Sequence, residues 1–408
     1  MRQLKIACLG DTMCGDSFCC LGRGIATSLD RYGENFVPRN MAHLLRGHDM
    51  VFCNVETVLS DVGRKDYSLR SVHMRGRPVA AEYLAGWGLT TANVATNHIL
   101  EHGRAAAIDT VKRLETAGIK TVGAGRAGQF EPGLQVAQLQ QAGQPIALIG
   151  ACLLNERFAF DGGAEWDEII EATKSLSSEG KVVIVSLHWG DELMDRPRLR
   201  QRQLGRELIR AGASLVIGHH PHVVQAVERF EHGLIAYSLG NFIFDSFSID
   251  IIWSMILSVE LSGREVRNWQ AHPIGKDRDH RPILLEGTRK DELSREIKRR
   301  CELLSSQVPE PGEPGVDYAI DQPSAVIAEH EQRYAGHKQP YTEREKQYTE
   351  RELQYTEYER LYNEEFERLD ANCRKRLRQE LIRRFWHMKI VYWPQILWRP
   401  IQRRLGWW

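Results

Sequence analysis

The stretch VVIVSLHWGDELMDRPRLRQRQLGRELIRAGASLVIGHHPH, residues 182–222, decides the fold. It opens on Val182–Leu187, an almost wholly apolar run of the kind that fills a strand buried on both faces. Leu199–Ala211 is amphipathic at helical spacing, and Gly212 is the usual residue just past a helix end. Ser214–Ile217 is a second short apolar run. Strand, helix and strand in that order imply parallel pairing through a crossover, the unit of an α/β fold.

The same grammar extends outward. Apolar runs at Leu4–Leu9, Met50–Asn54, Leu89–Ala95, Ile119–Val122 and Ile146–Ala151 read as buried strands, and Gly103–Ala117 reads as a helix stopped by Gly118. Leu234–Ser238 and Ser254–Val259 follow with no helix between them, which suggests hairpins closing a second sheet or an edge. The α/β domain is therefore expected over 1–285.

Beyond it a helix fills 286–304, with its pattern strongest from Asp291 to Leu304. Residues 305–323 begin SSQVPEPGEPG and read as a Pro/Gly/acidic linker, followed by a helical extension over 324–408. Tyr341, Tyr348, Tyr355 and Tyr362 recur every seven residues, with Leu369 in register, across a helix expected at 341–369. The second stripe of a coiled coil is missing, because Arg344, Arg351, Tyr358 and Glu365 stand three positions on. The segment reads either as a charged, solvent-exposed helix or as a self-association surface.

The 408 residues carry 54 basic and 54 acidic side chains and no net charge. The balance hides a split. Residues 374–408 hold ten Lys/Arg against Glu380 alone, so that tail carries +9 and the preceding residues −9. Trp386, Trp393, Trp398, Trp407 and Trp408 lie there as well. Pro394 and Pro400 divide its apolar stripe into short helical pieces. A basic face with tryptophans opposite fits an anionic membrane surface; docking on a partner or on the chain's own body are the other readings. Nucleic acid is not expected as a partner, since no compact nucleic-acid fold accompanies the tail. No 18-residue apolar run occurs, the opening MRQLKIACLGDTM does not read as a signal peptide, and the eight cysteines form no CxxC pair. These features imply reduced thiols and a cytoplasmic protein, peripheral at the inner membrane face through its tail.

Five segments carry polar groups directly after an apolar run: Asp11, Glu56, Asn97-His98 continuing to Glu101, His188, and His219-His220-Pro221-His222. Ligands of α/β sheets gather at the carboxyl ends of parallel strands. Any one of these segments has a bland reading. Gly-Asp after a strand is usually a turn, and a lone histidine usually sits satisfied in a core. Three histidines within four residues rarely serve packing alone, and five such strand ends together imply a pocket of oxygen and nitrogen donors without thiolate. That set suits Mn, Fe or Zn and has members enough for two divalent ions.

The ordered blocks GDTM (10–13), NVET (54–57), ATNHILEHG (95–103), SLHWGDE (186–192), GHHPHVVQ (218–225) and YSLGNFIFD (237–245) resemble the CapA family. These are capsule or poly-γ-glutamate biosynthesis proteins related to calcineurin-like metallophosphoesterases. The resemblance covers about residues 4–250. It implies a four-layer α/β/β/α sandwich with a two-metal site at the strand ends. Asp11 matches the first-strand metal ligand, Glu56 stands where the superfamily has a bridging aspartate, and Asn97 matches the asparagine ligand. His188, His220 and His222 match the histidine ligands. His98 matches the histidine that protonates the leaving group, with Glu101 three residues on and able to orient it if a helix starts there. Asn54, His219 and Asn241 stand beside that set.

One departure is Met13, where the superfamily's Asp-x-His motif has its histidine. A thioether is a poor ligand for a hard ion, so the first metal position is weakened or filled in part by another histidine. The resemblance thus implies a metal-dependent hydrolase acting on an anionic phosphorylated or polymeric substrate, in capsule, poly-γ-glutamate or exopolysaccharide biosynthesis. The alternative is a non-catalytic polymer-binding or assembly protein on the same fold, with a reduced metal site.

Overall fold

A computed structural model describes residues 3–17, 20, 22, 24–64, 73–125, 128–130, 134–154, 166–245 and 253–305. The tyrosine heptads of 341–369, the tail of 374–408 and the Pro/Gly-rich stretch from 306 onward lie outside the described residues. The first half contains β1 (Leu4–Thr12), α1 (Ile25–Tyr32), α2 (Arg39–Arg46), β2 (Met50–Val55), α3 (Ala80–Gly86), β3 (Thr91–Asn93), α4 (Arg104–Thr116), β4 (Lys120–Val122), β5 (Val136–Gln141) and β6 (Gln144–Cys152). The second contains α5 (Trp166–Ser178), β7 (Val182–His188), α6 (Leu199–Arg210), β8 (Ala213–His219), β9 (Val227–Phe230), β10 (Gly233–Ala236), β11 (Asn241–Ile243), β12 (Ser254–Ser262), β13 (Glu265–Lys276), β14 (Pro282–Leu284) and α7 (Gly287–Ser305).

Two sheets form. One has the order β14-β13-β12-β1-β2-β3-β4, with β11 also on β1, and the other β5-β6-β7-β8-β10-β9. The strands β1, β2, β3 and β4 pair in parallel, as do β6, β7 and β8. The late strands close one edge of each sheet by hairpins, as expected: β9 and β10 are an antiparallel pair in the second sheet, and β12–β14 run as an antiparallel meander in the first.

Side chains alternate between faces along a strand, and this alternation builds the layers. Leu4, Ile6, Cys8, Met50 and Phe52 of the first sheet pack with Ile146, Leu148, Val182, Ile184 and Leu215 of the second. Their neighbours Ala7, Leu9, Val51 and Cys53 face Leu29, Leu45, Leu84 and Leu114 of helices α1 to α4. On the far side Ala147, Ile149, Val183 and Val185 meet Ile169 of α5 and Leu204 and Leu208 of α6. Three apolar layers between four structural layers make the α/β/β/α sandwich. Burying each such Val, Leu, Ile or Phe contributes about 1.5–3 kcal/mol. Helix α7 sets Leu293 and Ile297 into the inter-sheet layer and Leu304 into the outer one. Among the described residues no helix is long and apolar enough to cross a membrane.

The Gly residues after α4 and α6 take positive φ, +89° at Gly118 and +109° at Gly212, which ends each helix as read. The run Leu89–Ala95 is narrower than expected, with only Thr91–Asn93 laddered. No helix starts at His98: that segment is a turn, with the Glu101 N–H donating to the His98 carbonyl at 3.0 Å, and α4 begins at Arg104.

Candidate metal centre

The polar segments emerge at the carboxyl ends of β1, β2, β3, β7 and β8. Because each group of strands is parallel, those ends lie together. Asp11 is in register with Asn54 and with Asn241 on its two sides, and His188 with His219. Close backbone approach is built in. A Cβ on Gly10 would stand 1.9 Å from the Gly240 carbonyl oxygen, so only glycine lets β11 lie against β1 there. A Cβ on Gly218 would stand 2.0 Å from the Tyr237 carbonyl oxygen, the atom that accepts the Trp189 indole N–H at 3.0 Å. After β8 the chain turns through His220 at φ 95° and His222 at φ 58°. Left-handed backbone at non-glycine residues costs about 1–3 kcal/mol each and collects at functional sites. Here it swings two imidazoles back over the strand ends.

The two sheets meet across this cluster. Asp11 is fully buried. Its carboxylate accepts the His220 backbone N–H at 3.1 Å and the Asn54 amide at 2.9 Å, and it lies 3.3 Å from both His219 Nδ1 and His222 Nδ1. Glu56 is fully buried too; Oε1 lies 3.5 Å from His222 Nε2 and 4.0 Å from His188 Nε2. His188 Nε2–H donates to Asn97 Oδ1 at 2.9 Å, and the Asn54 amide donates to His188 Nδ1 at 3.2 Å. Asn93 holds Asn54 in turn, at 2.8 Å. Asn241 accepts from His222 Nδ1–H at 2.8 Å. At the rim, His98 Nδ1–H donates to Glu101 at 3.0 Å, and His73 Nε2 stands 3.7 Å from the other Glu101 oxygen.

Asp11, Glu56, Asn97, His188, His219, His220, His222, Asn54 and Asn241 are thus linked in one cluster, with the His98–Glu101 pair beside it. Met13 is fully buried in the helix-facing core, while His219 stands against Asp11. Three residues near the site escaped the sequence reading. Asn93 and His73 carried no periodic signal. Glu192 stood inside the SLHWGDE block, and the structure groups it with His220 and His222.

The electrostatics divide the histidines. Burial alone would raise the Asp11 carboxyl, but hydrogen bonds and charge from His219 and His222 hold it well below the usual carboxylate range. Burial pushes Glu56 up to about 8, with Asp11 and Glu192 adding repulsion and His222 and His98 offsetting part of it. Burial would lower His222, yet the facing carboxylates of Glu56 and Asp11 raise it to about 10. His188 is held well below its usual value, and His220 falls to about 4, both chiefly through burial and then through a neighbouring imidazole. Two histidines are therefore neutral near pH 7, the form that binds metals. Burial would also lower His98, but the hydrogen bond and charge of Glu101 raise it.

Asp11, Glu56 and His222 each offer a ligand atom within 4.8 Å of the others, as do Glu192, His220 and His222. Both Glu56 oxygens are buried and accept no hydrogen bond, and His220 Nδ1 is buried without a hydrogen-bond partner. Donor atoms so left fit a cation. An ion taking the place of the His188 Nε2 proton would have Asn97 Oδ1 2.9 Å from that nitrogen, and ligands bonded at about 2.1 Å sit roughly 3 Å apart around an ion.

A family model described as "Bacterial capsule synthesis protein PGA_cap" matches residues 5–246, which contain every one of these groups. The chain belongs to that family. It is similar to the capsule biosynthesis protein CapA of Bacillus anthracis, 30% identical over 247 residues, 57% of this chain and 59% of that protein. It is also similar to the PGA biosynthesis protein CapA of Bacillus subtilis strain 168, 26% identical over 249 residues, 59% of this chain and 63% of that protein. The matched region thus spans less than two thirds of either relative's length. Among solved structures, one titled as a novel phosphatase of Mycoplasma pneumoniae covers 72% of this chain and 97% of its own, with 12% identity and a TM-score of 0.42.

Proposed function

We propose that this member of the PGA_cap family is a metal-dependent hydrolase that cleaves a phosphoester or processes a polymer end during synthesis of a capsule, poly-γ-glutamate or an exopolysaccharide. The observation that carries this reading is Glu56, a fully buried carboxylate whose oxygens accept no hydrogen bond and face His222 and His188. Burial pushes this carboxyl up to about 8 in the metal-free fold, and a cation beside it would supply the positive charge that lets a buried carboxyl ionise. Asp11, Glu56, Asn97, His188, His220 and His222 would hold the metal, with Mn, Fe or Zn suited to these oxygen and nitrogen donors and room in the set for two ions. When bound, such ions neutralise and polarise an anionic group of the substrate.

The remaining chemistry falls to the chain's own side chains. Glu101 accepts the hydrogen bond of His98 Nδ1–H and, by its charge, strengthens the hold of the imidazole on its proton. The Nε2 proton is then available to a leaving oxygen. Asn54 links Asp11 to His188 and so ties the two sheets at the site.

A non-catalytic polymer-binding role is the second reading, and Met13 favours it, because no histidine occupies that position of the first block. Metal analysis of the purified protein, followed by a screen against phosphoesters and γ-glutamyl polymers, separates the two. Hydrolysis lost in His98→Ala and His188→Ala supports the enzyme; protein without metal, or activity indifferent to both changes, removes it. The +9 tail of 374–408 would hold the protein, read as cytoplasmic, to an anionic inner membrane face, and the tyrosine stripe of 341–369 would serve self-association. Sedimentation with anionic liposomes, with and without 374–408, tests the first of these; equal binding by both forms excludes it.

A further inference from the structure

We propose that Glu192 is a metal ligand, joining His220 and His222 to hold a second cation at the mouth of the cleft, beside the buried position framed by Asp11, Glu56 and His222. The proposal rests on the metal-site reading above and adds a residue from a segment to which that reading gives no role.

The segment is the connection between β7 and α6, and it is tied down on the histidine loop. Gly190 turns it with φ +87° against the Gln201 side chain. Leu193 takes φ 61°, a left-handed conformation that a leucine seldom adopts. Its N–H donates to the Pro221 carbonyl at 2.9 Å, and the Gln225 amide donates to the Met194 carbonyl at 2.8 Å. Pro221 lies between His220 and His222, so the strained residue after Glu192 is fastened between the two histidines. On the other side of Glu192, Asp191 pairs with Arg198. A left-handed turn fixed at these points presents the Glu192 carboxylate to both imidazoles.

Glu192, His220 and His222 offer ligand atoms all within 4.8 Å of one another. Two atoms bonded to one ion at about 2.1 Å are at most about 4.2 Å apart, so closing the set takes side-chain adjustment and no backbone rearrangement. A second observation points to a ligand there: His220 Nδ1 is buried and has no hydrogen-bond partner. Glu192 is exposed whereas Asp11, Glu56 and His222 are buried. His222 is common to both groups, so the two positions are neighbours, and its Nε2, the nitrogen not bonded to Asn241, would serve one ion at a time. The outer ion would then be held more weakly and be the one nearer an arriving substrate.

The test titrates the full-length, metal-stripped protein with Mn²⁺ and separately with Zn²⁺, counting bound ions and following free Mn²⁺ by electron paramagnetic resonance. Wild type, Glu192→Gln and Asp11→Asn are compared. The proposal expects two ions per chain in wild type, and in Glu192→Gln one ion at wild-type affinity with the weaker one reduced about tenfold or more, in line with losses on disturbing metal sites. Glu192→Gln binding as wild type, while Asp11→Asn loses an ion, overturns the Glu192 assignment and leaves the buried position standing. No ion in wild type, or ions indifferent to Asp11→Asn, overturns both. Because Glu192 is exposed, the Gln variant is expected to keep the wild-type melting temperature in the stripped state; a fall there with unchanged ion binding also removes the ligand role.

Discussion

The sheet built on β1 and the sheet built on β7 and β8 end in different chemistry. The first supplies oxygens, from Asp11, Glu56 and Asn97. The second supplies imidazoles, from His188, His219, His220 and His222. Each half alone is unfavourable: two buried carboxylates repel each other, and clustered histidines suppress one another's protonation. Together they share charge, and His222 gains a proton that His188 and His220 lack. The difference teaches that the layered core does more than bury apolar surface. It presses an acidic edge against a basic one and brings together two groups of side chains that could hold a cation.

Removing the acidic half should have the largest effect. Asp11→Asn keeps the shape but deletes the charge facing His219 and His222; metal affinity should fall by more than the roughly 10–100-fold typical of changes around metal sites, and hydrolysis should vanish. Equilibrium dialysis against Zn²⁺ checks this. His98→Gln lies outside the opposition of the two halves. It should lower turnover by about 10²–10⁴ with metal content unchanged, so parallel metal analysis and kinetics distinguish proton donation from metal loss.

Asn54→Ala cuts the tie between the halves, since its amide spans Asp11 and His188. Metal affinity should drop about 10–100-fold while the melting temperature of the stripped protein changes modestly.

The smallest effect is in pH. Glu56 near 8 and His222 near 10 are both raised in the fold. Each therefore adds stability that is complete below its unfolded value and is lost as pH rises through the folded one. Asp11 is lowered, so its contribution persists at neutral and alkaline pH and is lost only on acidification. The metal-free protein should melt at lower temperature at pH 9 than at pH 6, and added Zn²⁺ should raise the melting temperature more at pH 9, where fewer protons compete for His222. A metal-free midpoint that rises over that range contradicts the charge sharing.

Much of this was legible in the chain because the strands that carry the site are buried on both faces. Continuous apolar runs such as Val182–Leu187 announce themselves, and a polar residue at their end stands out. Half-exposed strands do not: β5, VAQLQQ, and β13, EVRNWQAHPIGK, mix polar and apolar residues and are held by their partners. The His98–Glu101 contact was anticipated through a helix and is made by a turn instead, because a three-residue offset suits both. Glu192 closed the SLHWGDE block but was given no role, since its place beside the histidines depends on Leu193 bonding to Pro221. Met13 read as a failed ligand; in the fold it is a core residue.

The Asp11 carboxylate and the His220 amide that bonds it are 209 positions apart. During synthesis the acidic edge therefore emerges long before the imidazoles that balance it, and a nascent chain ending anywhere before β8 carries an incomplete set of ligands. Closing so long a loop adds little entropy beyond that of a shorter one, but it must await the second sheet. Under the proposed metal-site reading, capture of an ion would come last in folding and would mark that both halves of the molecule have arrived.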